Sequence, residues 1–184
     1  EKNITEGARL AGASIELVTV EAFPEAMEKF KAGECDLVTT DGSGLVGNRA
    51  KEGALNDWAI FPASPISKEP LGPVYRSNDS QWADIVNWTV YATFIADEYG
   101  VGRANVDSFD YDANPEMGRL MGKNDGELQT VMGLSADAFY NVISQIGNYD
   151  EIYSKNLNPV GLYREGSANA PWTEGGLIYA PPAR

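Results

Sequence analysis

Asp41 is the residue whose type and position most directly suggest chemistry. It follows the run Leu37-Val38-Thr39-Thr40 and precedes Gly42-Ser43-Gly44. In open α/β sheets, ligands collect at the carboxyl ends of strands. A carboxylate placed there can hold an ammonium group through charge-assisted hydrogen bonds, and the flanking glycines allow the backbone to approach a ligand closely. Asp is equally suited to cap a helix that starts at this turn, so spacing alone leaves a ligand contact and a structural cap both open. The Gly42-Ser43-Gly44 turn does not read as a phosphate loop, because the G-x-x-x-x-G-K-[ST] spacing and its lysine are absent.

The remaining chemistry is narrowed by composition. The chain has no histidine and one cysteine, Cys35. A zinc site of the usual kind needs several Cys or His ligands, and a Ser-His-Asp or Cys-His unit needs an imidazole. Carboxylates, lysine and tyrosine are left as acid–base groups, and no cofactor or metal site is expected. Asp107, Asp110 and Asp112 lack the loop pattern of a known calcium site and read as a solvated loop. Tyr149, Tyr153, Tyr163 and Tyr179 either line a pocket or are half-buried surface aromatics.

Alternating helix and strand would position Asp41. A short helix is expected over residues 3–11, a strand over 14–20, and a helix with Pro24 in its first turn and Gly33 just past its end. Ala26, Met27 and Phe30 fall on one face of that helix. A second strand is expected over 36–40, then a short helix carrying Leu45 and Val46, then a buried strand over 58–61. This order predicts an α/β lobe with a parallel sheet. Pro62, Pro65, Pro70 and Pro73 make an extended connector, with a further edge strand over 71–75. The strongest helix signal runs from a cap at Asp79 or Ser77 to Gly100, with Trp82, Ile85, Val86, Thr89 and Thr93 at three-and-four spacing. Trp88, Phe94, Ile95 and Tyr99 widen its apolar face. Ser135 is expected to cap a helix holding Phe139, Val142, Ile143 and Ile146, and the tail around Trp172 is expected to be irregular.

Bulk properties fit a folded domain or two small ones: 184 residues, 43% hydrophobic and 22% charged. A net charge of −13 would repel a phosphate backbone, so nucleic acid is not an expected partner. No apolar run reaches the ~18 residues of a membrane span. Glu1-Lys2-Asn3 does not read as a signal peptide, so a signal was removed or the residues before Glu1 are not included.

Several collinear segments carry a family resemblance. They are Gly33-Glu34-Cys35-Asp36 with Thr39-Thr40-Asp41, residues 66–74 (ISKEPLGPV) with 81–89 (QWADIVNWT), Ile146-Gly147-Asn148-Tyr149 with Glu151-Ile152, and residues 176–182 (GLIYAPP). Together they resemble the general L-amino-acid-binding periplasmic proteins of polar amino-acid ABC importers, in solute-binding family 3. The resemblance implies an α/β, bilobal periplasmic-binding-protein type II fold, here incomplete, that closes around an L-amino acid and docks on a membrane permease. By that resemblance, residues 1–66 are the remainder of the second lobe, 67–74 the hinge or return strand, and 75–184 the C-terminal part of the first lobe with its tail. Asp41 falls on the aspartate that grips the ligand α-amino group, and Thr40 helps line the cleft.

An N-terminal segment of the family is not found in this sequence. The resemblance implies that it carries the arginine clamping the ligand carboxylate, a Thr-rich turn opposite the aspartate, and a cysteine able to pair with Cys35. The expectation is therefore a periplasmic binding protein without catalysis, partnered by that segment or by self-association. A dehydratase-like enzyme on the same fold and a self-associating remnant without ligand binding are the alternatives.

Overall fold

The computed structural model describes residues 1–62, 64–68 and 70–183. It divides into two compact units, Glu1–Leu71 and Gly72–Arg184.

The first unit contains three helices: α1 (Lys2–Leu10), α2 (Phe23–Lys31) and α3 (Gly42–Lys51). Pro24 occupies the first turn of α2, where its lacking N–H costs no helix bond. Gly33 follows the helix at φ +72°, a left-handed conformation suited to glycine. Met27 is buried, and Phe30 sets its ring edge-on to Trp58, centroids 5.1 Å apart. Lys31 pairs with Glu28 on α2 and reaches Glu52, just past α3, at 3.5 Å.

The strands expected over 14–20, 36–40, 58–61 and 71–75 do not form a ladder. Those residues are irregular, with bends at Asp36 and Thr40, and among the described residues the only β-type pairing is an isolated parallel bridge between Pro171 and Ile178. The physical reason is that a strand, unlike a helix, satisfies its backbone groups only on a neighbour. Among the described residues no backbone hydrogen bond joins 14–20, 36–40 or 71–75 to a neighbour, and side chains patterned for burial stay in solvent: Val18 is 50%, Leu37 56% and Val74 96% exposed.

The second unit carries the main core. Its long helix α4 (Ser80–Glu98) starts at Asp79, whose Oδ1 accepts from the Trp82 backbone N–H at 2.9 Å. The helix stops at Tyr99, followed by Gly100 at φ +64°. Ala92, Thr93, Ile95 and Ala96 are the buried side of α4. Trp88 packs against the core, whereas Trp82, expected on the apolar stripe, is 52% exposed. The core closes with α5 (Pro115–Leu120), α6 (Leu128–Val131), α7 (Ala138–Gln145) and α8 (Tyr149–Leu157). Met117, Leu120, Met121, Phe139 and Ile143 are fully buried there.

Two details of α7 differ from expectation. Asp137 rather than Ser135 holds its N-cap position, and Ile146 lies exposed beyond its end. The tail folds back through the Pro171–Ile178 bridge, with a short 3-10 turn at Trp172–Glu174.

Candidate functional site

Asp41 stands at the N-cap position of α3, directly after residues 36–40. Its backbone C=O accepts the first helical bond, from Leu45 N–H at 3.0 Å. Its carboxylate makes no cap hydrogen bond, so the side chain occupies the structural position without performing the structural job. Asp41 and Thr40 are both exposed. Gly44 allows Thr40 to sit against the first turn: a Cβ on Gly44 would lie 3.2 Å from the Thr40 Cγ2 methyl. Asn48 donates to the Gly44 carbonyl at 2.8 Å and ties the second turn to the first.

The backbone N–H groups of Gly42, Ser43 and Gly44 precede the first helical bond, at the positive end of the helix dipole. The turn thus offers a carboxylate for a cation, a hydroxyl, and N–H donors for a carboxylate oxygen. That is the complement of a zwitterionic α-amino-acid head group. No ion pair reaches Asp41 among the described residues.

The structure does not enclose this turn. A groove of about 420 Å³ in the first unit is lined by Asn3, Glu6, Gly7, Leu10, Ala11 and Ile66 and includes neither Asp41 nor Thr40. Cys35 is a half-buried free thiol. Among the described residues, no group of three or more Cys, Asp or Glu side chains is arranged to hold a metal ion. No helix there is long and apolar enough to cross a membrane.

In the second unit, the four tyrosines do not meet around a pocket. Tyr149 and Tyr153 pack beneath the Arg164 guanidinium, 4.9 and 5.9 Å from their ring centroids, while Tyr163 and Tyr179 are exposed. Arg164 itself was not anticipated. It lies 2.8 Å from Asp97 and donates to Asp150 at 3.0 Å and to the Asn169 carbonyl at 2.9 Å. These partners are 67, 14 and 5 residues away along the chain, and no local pattern announces such a cluster. The capping box at Asn148 and Glu151 was also missed, although the Asn-x-x-Glu spacing ahead of α8 was there to be read.

Comparison with known proteins gives the class first. The whole chain superposes with a TM-score of 0.89 and 37% identity on 57% of a solved ABC transporter/periplasmic binding protein from Brucella ovis with glutathione bound. The fold is therefore part of a bilobal periplasmic binding protein. No protein-family model matches the chain.

The relatives narrow the class. Over its full length the chain is 40% identical to the general L-amino acid-binding periplasmic protein AapJ of Rhizobium johnstonii. It is likewise 40% identical to the glutamate/glutamine/aspartate/asparagine-binding protein BztA of Rhodobacter capsulatus. Identity is 36% to the putative amino-acid ABC transporter-binding protein YhdW of Escherichia coli K12. The chain is thus a homologue of the amino-acid-binding periplasmic proteins of ABC transporters, and it spans 54% of the length of these curated relatives.

Proposed function

We propose that this chain is the C-terminal part of a periplasmic solute-binding protein that captures L-amino acids for an ABC importer and performs no chemistry on them. The observation that carries this reading is the uncommitted Asp41 carboxylate at the start of α3, in a chain 40% identical to amino-acid-binding proteins. Asp41 holds the ligand ammonium, and Thr40 lines the cleft beside it. The ligand class is defined by a free α-amino-acid head. Glutathione presents the same head at its γ-glutamyl end, so the ligand of the Brucella ovis neighbour is compatible with the same contact.

In this reading, residues 1–66 are the remainder of the second lobe, 67–74 the hinge and 75–184 the C-terminal part of the first lobe. The division between Leu71 and Gly72 supports it, because it falls inside the assigned hinge. The closed form would dock on a membrane permease in the periplasm, and Cys35 would pair with a cysteine outside this chain.

The test is calorimetric titration of the whole binding protein with glutamate, glutamine and glutathione. Asp41→Ala should weaken binding by roughly 2–4 kcal/mol, the loss of one charge-assisted contact to a desolvated ammonium. Equal affinities for wild type and variant would refute the assignment of Asp41. Turnover of any of these compounds would instead favour an enzyme on the same fold.

A further inference from the structure

In the second unit, residues 164–183 make their backbone hydrogen bonds among themselves. Trp172 N–H donates to the Ile178 carbonyl at 2.9 Å, and Leu177 N–H to the Ala168 carbonyl at 2.9 Å. Among the described residues, no backbone–backbone hydrogen bond joins this tail to the helices beneath it. The bonds that do join it each use a side chain. Arg164 lies 2.8 Å from Asp97 and donates to Asp150 of α8 at 3.0 Å. The Trp172 indole N–H donates to Glu98 at 3.0 Å. The Ala183 N–H donates to Glu116 of α5 at 2.8 Å, and the other oxygen of that carboxylate accepts from the Tyr99 hydroxyl at 3.0 Å. Three consecutive residues at the end of α4, Asp97, Glu98 and Tyr99, thus clasp the tail, Tyr99 through Glu116. Under these clasps, Ala180 and Ala183 are buried against the helical core.

We propose that residues 164–183 form a strap that opens as one unit from α4 and α5 while the helical core stays folded, and that acid conditions hold the strap shut. A segment joined to its core by a few side-chain bonds and small buried residues opens at lower cost than the helices themselves. The dependence on acidity comes from the charges along the seam. Asp97 faces Arg164 from the tail and Asp150 and Tyr149 from α8. Glu98 faces Trp172 from the tail, Glu116 from α5 and Asp97 beside it. Arg119 of α5 is a further cation near Tyr99. Burial pushes the Asp97 and Glu98 carboxyls above their ordinary values, more than Arg164 and Trp172 pull them down, and the neighbouring carboxylates push the same way. Opening the strap returns both groups toward ordinary values. The closed strap therefore binds more protons than the open one. Its closure is strongest below the ordinary carboxyl range and weakens as pH rises through the raised values.

The test is hydrogen exchange by nuclear magnetic resonance on the whole binding protein, labelled at tryptophan and alanine, with no amino acid added. The Trp172 indole N–H and the Ala183 amide are the reporters, because each donates to a clasp. The Ala96 amide, in the buried side of α4, is the internal control. Both reporters should be at least roughly tenfold less protected than Ala96. Their protection should fall together, at least roughly threefold, between pH ~4 and pH ~7, while that of Ala96 holds. Asp97→Asn with Glu98→Gln keeps an accepting oxygen at both positions and removes both titrations, so the pH dependence should flatten. Trp172→Phe keeps a ring against Tyr179 and removes the donor to Glu98. If the strap opens as one unit, this variant should also lower the protection of Ala183, 11 residues away, at least roughly threefold. The proposal is overturned if the reporters are protected as strongly as Ala96, or if their protection is flat or rises with pH in the wild type. It is equally overturned if Trp172→Phe leaves the Ala183 amide unchanged, or if the double variant keeps the wild-type pH dependence.

Discussion

Replacing Arg164 by Met would test how the second unit is held together. The Arg164 side chain is 7% exposed and lies over Tyr149 and Tyr153. Of its two acidic partners, Asp97 is 15% exposed and Asp150 is 55% exposed. The outer pair is screened by water and contributes little, so the inner one decides the outcome. Met retains most of the side-chain stem and its packing on the rings. What is lost is the charge facing Asp97 and the donor to the Asn169 carbonyl. Removing one partner of a buried pair costs about 3–5 kcal/mol, because the other charge stays behind unpaired. The double variant Arg164→Met/Asp97→Leu should recover much of that loss.

The pH dependence sharpens this test. Burial pushes the Asp97 carboxyl above the ordinary aspartate value, more than Arg164 pulls it down. Without the guanidinium it should rise further. A carboxyl whose folded pKa exceeds its unfolded one makes the folded state bind more protons, so stability falls as pH rises through that window. The Arg164→Met deficit should therefore be small near pH ~4 and reach its full size near pH ~7. Urea denaturation followed by helical circular dichroism, each variant against wild type at the same pH, measures both effects. A deficit below about 1 kcal/mol at neutral pH, or one of equal size at both pH values, would refute the reasoning.

Other perturbations probe separate contacts. Asn148→Ala removes the capping box with Glu151 and the donor to the Val101 carbonyl, and should cost about 2 kcal/mol in urea denaturation. Gly176→Ala would place a Cβ 1.8 Å from the Ala170 carbonyl oxygen, too close for any rotamer to relieve. It should cost about 1–3 kcal/mol and raise proteolysis within the tail selectively. Cys35, free and half-buried, should react as one thiol in the native chain with a disulfide reagent. It should be unreactive in the whole binding protein if it pairs there with a cysteine outside this chain, which peptide mapping would identify.

Helices were readable locally because their hydrogen bonds are local. Pro24 and Gly33 marked the ends of α2, Asp79 capped α4, and the turn at Asp41 began α3. Trp82 shows the limit of periodicity: it shares the spacing of the buried stripe but, in the first turn of α4, is 52% exposed. Spacing reports which residues share a face, and not how far along the helix that face is covered.

The sequence by itself determined helices α1 to α4 and α7, the exclusion of imidazole chemistry, the position of Asp41 at the turn that opens α3, and, through its collinear segments, the kinship with amino-acid-binding proteins. Only the tertiary structure decided that the Asp41 carboxylate does not cap α3, that Arg164 gathers Asp97, Asp150 and two tyrosines from separate parts of the second unit, and that the strand-type segments form no ladder among the described residues. The reason is common to all three. A residue's type fixes which bonds it can make, but whether a partner stands within reach depends on distant parts of the chain.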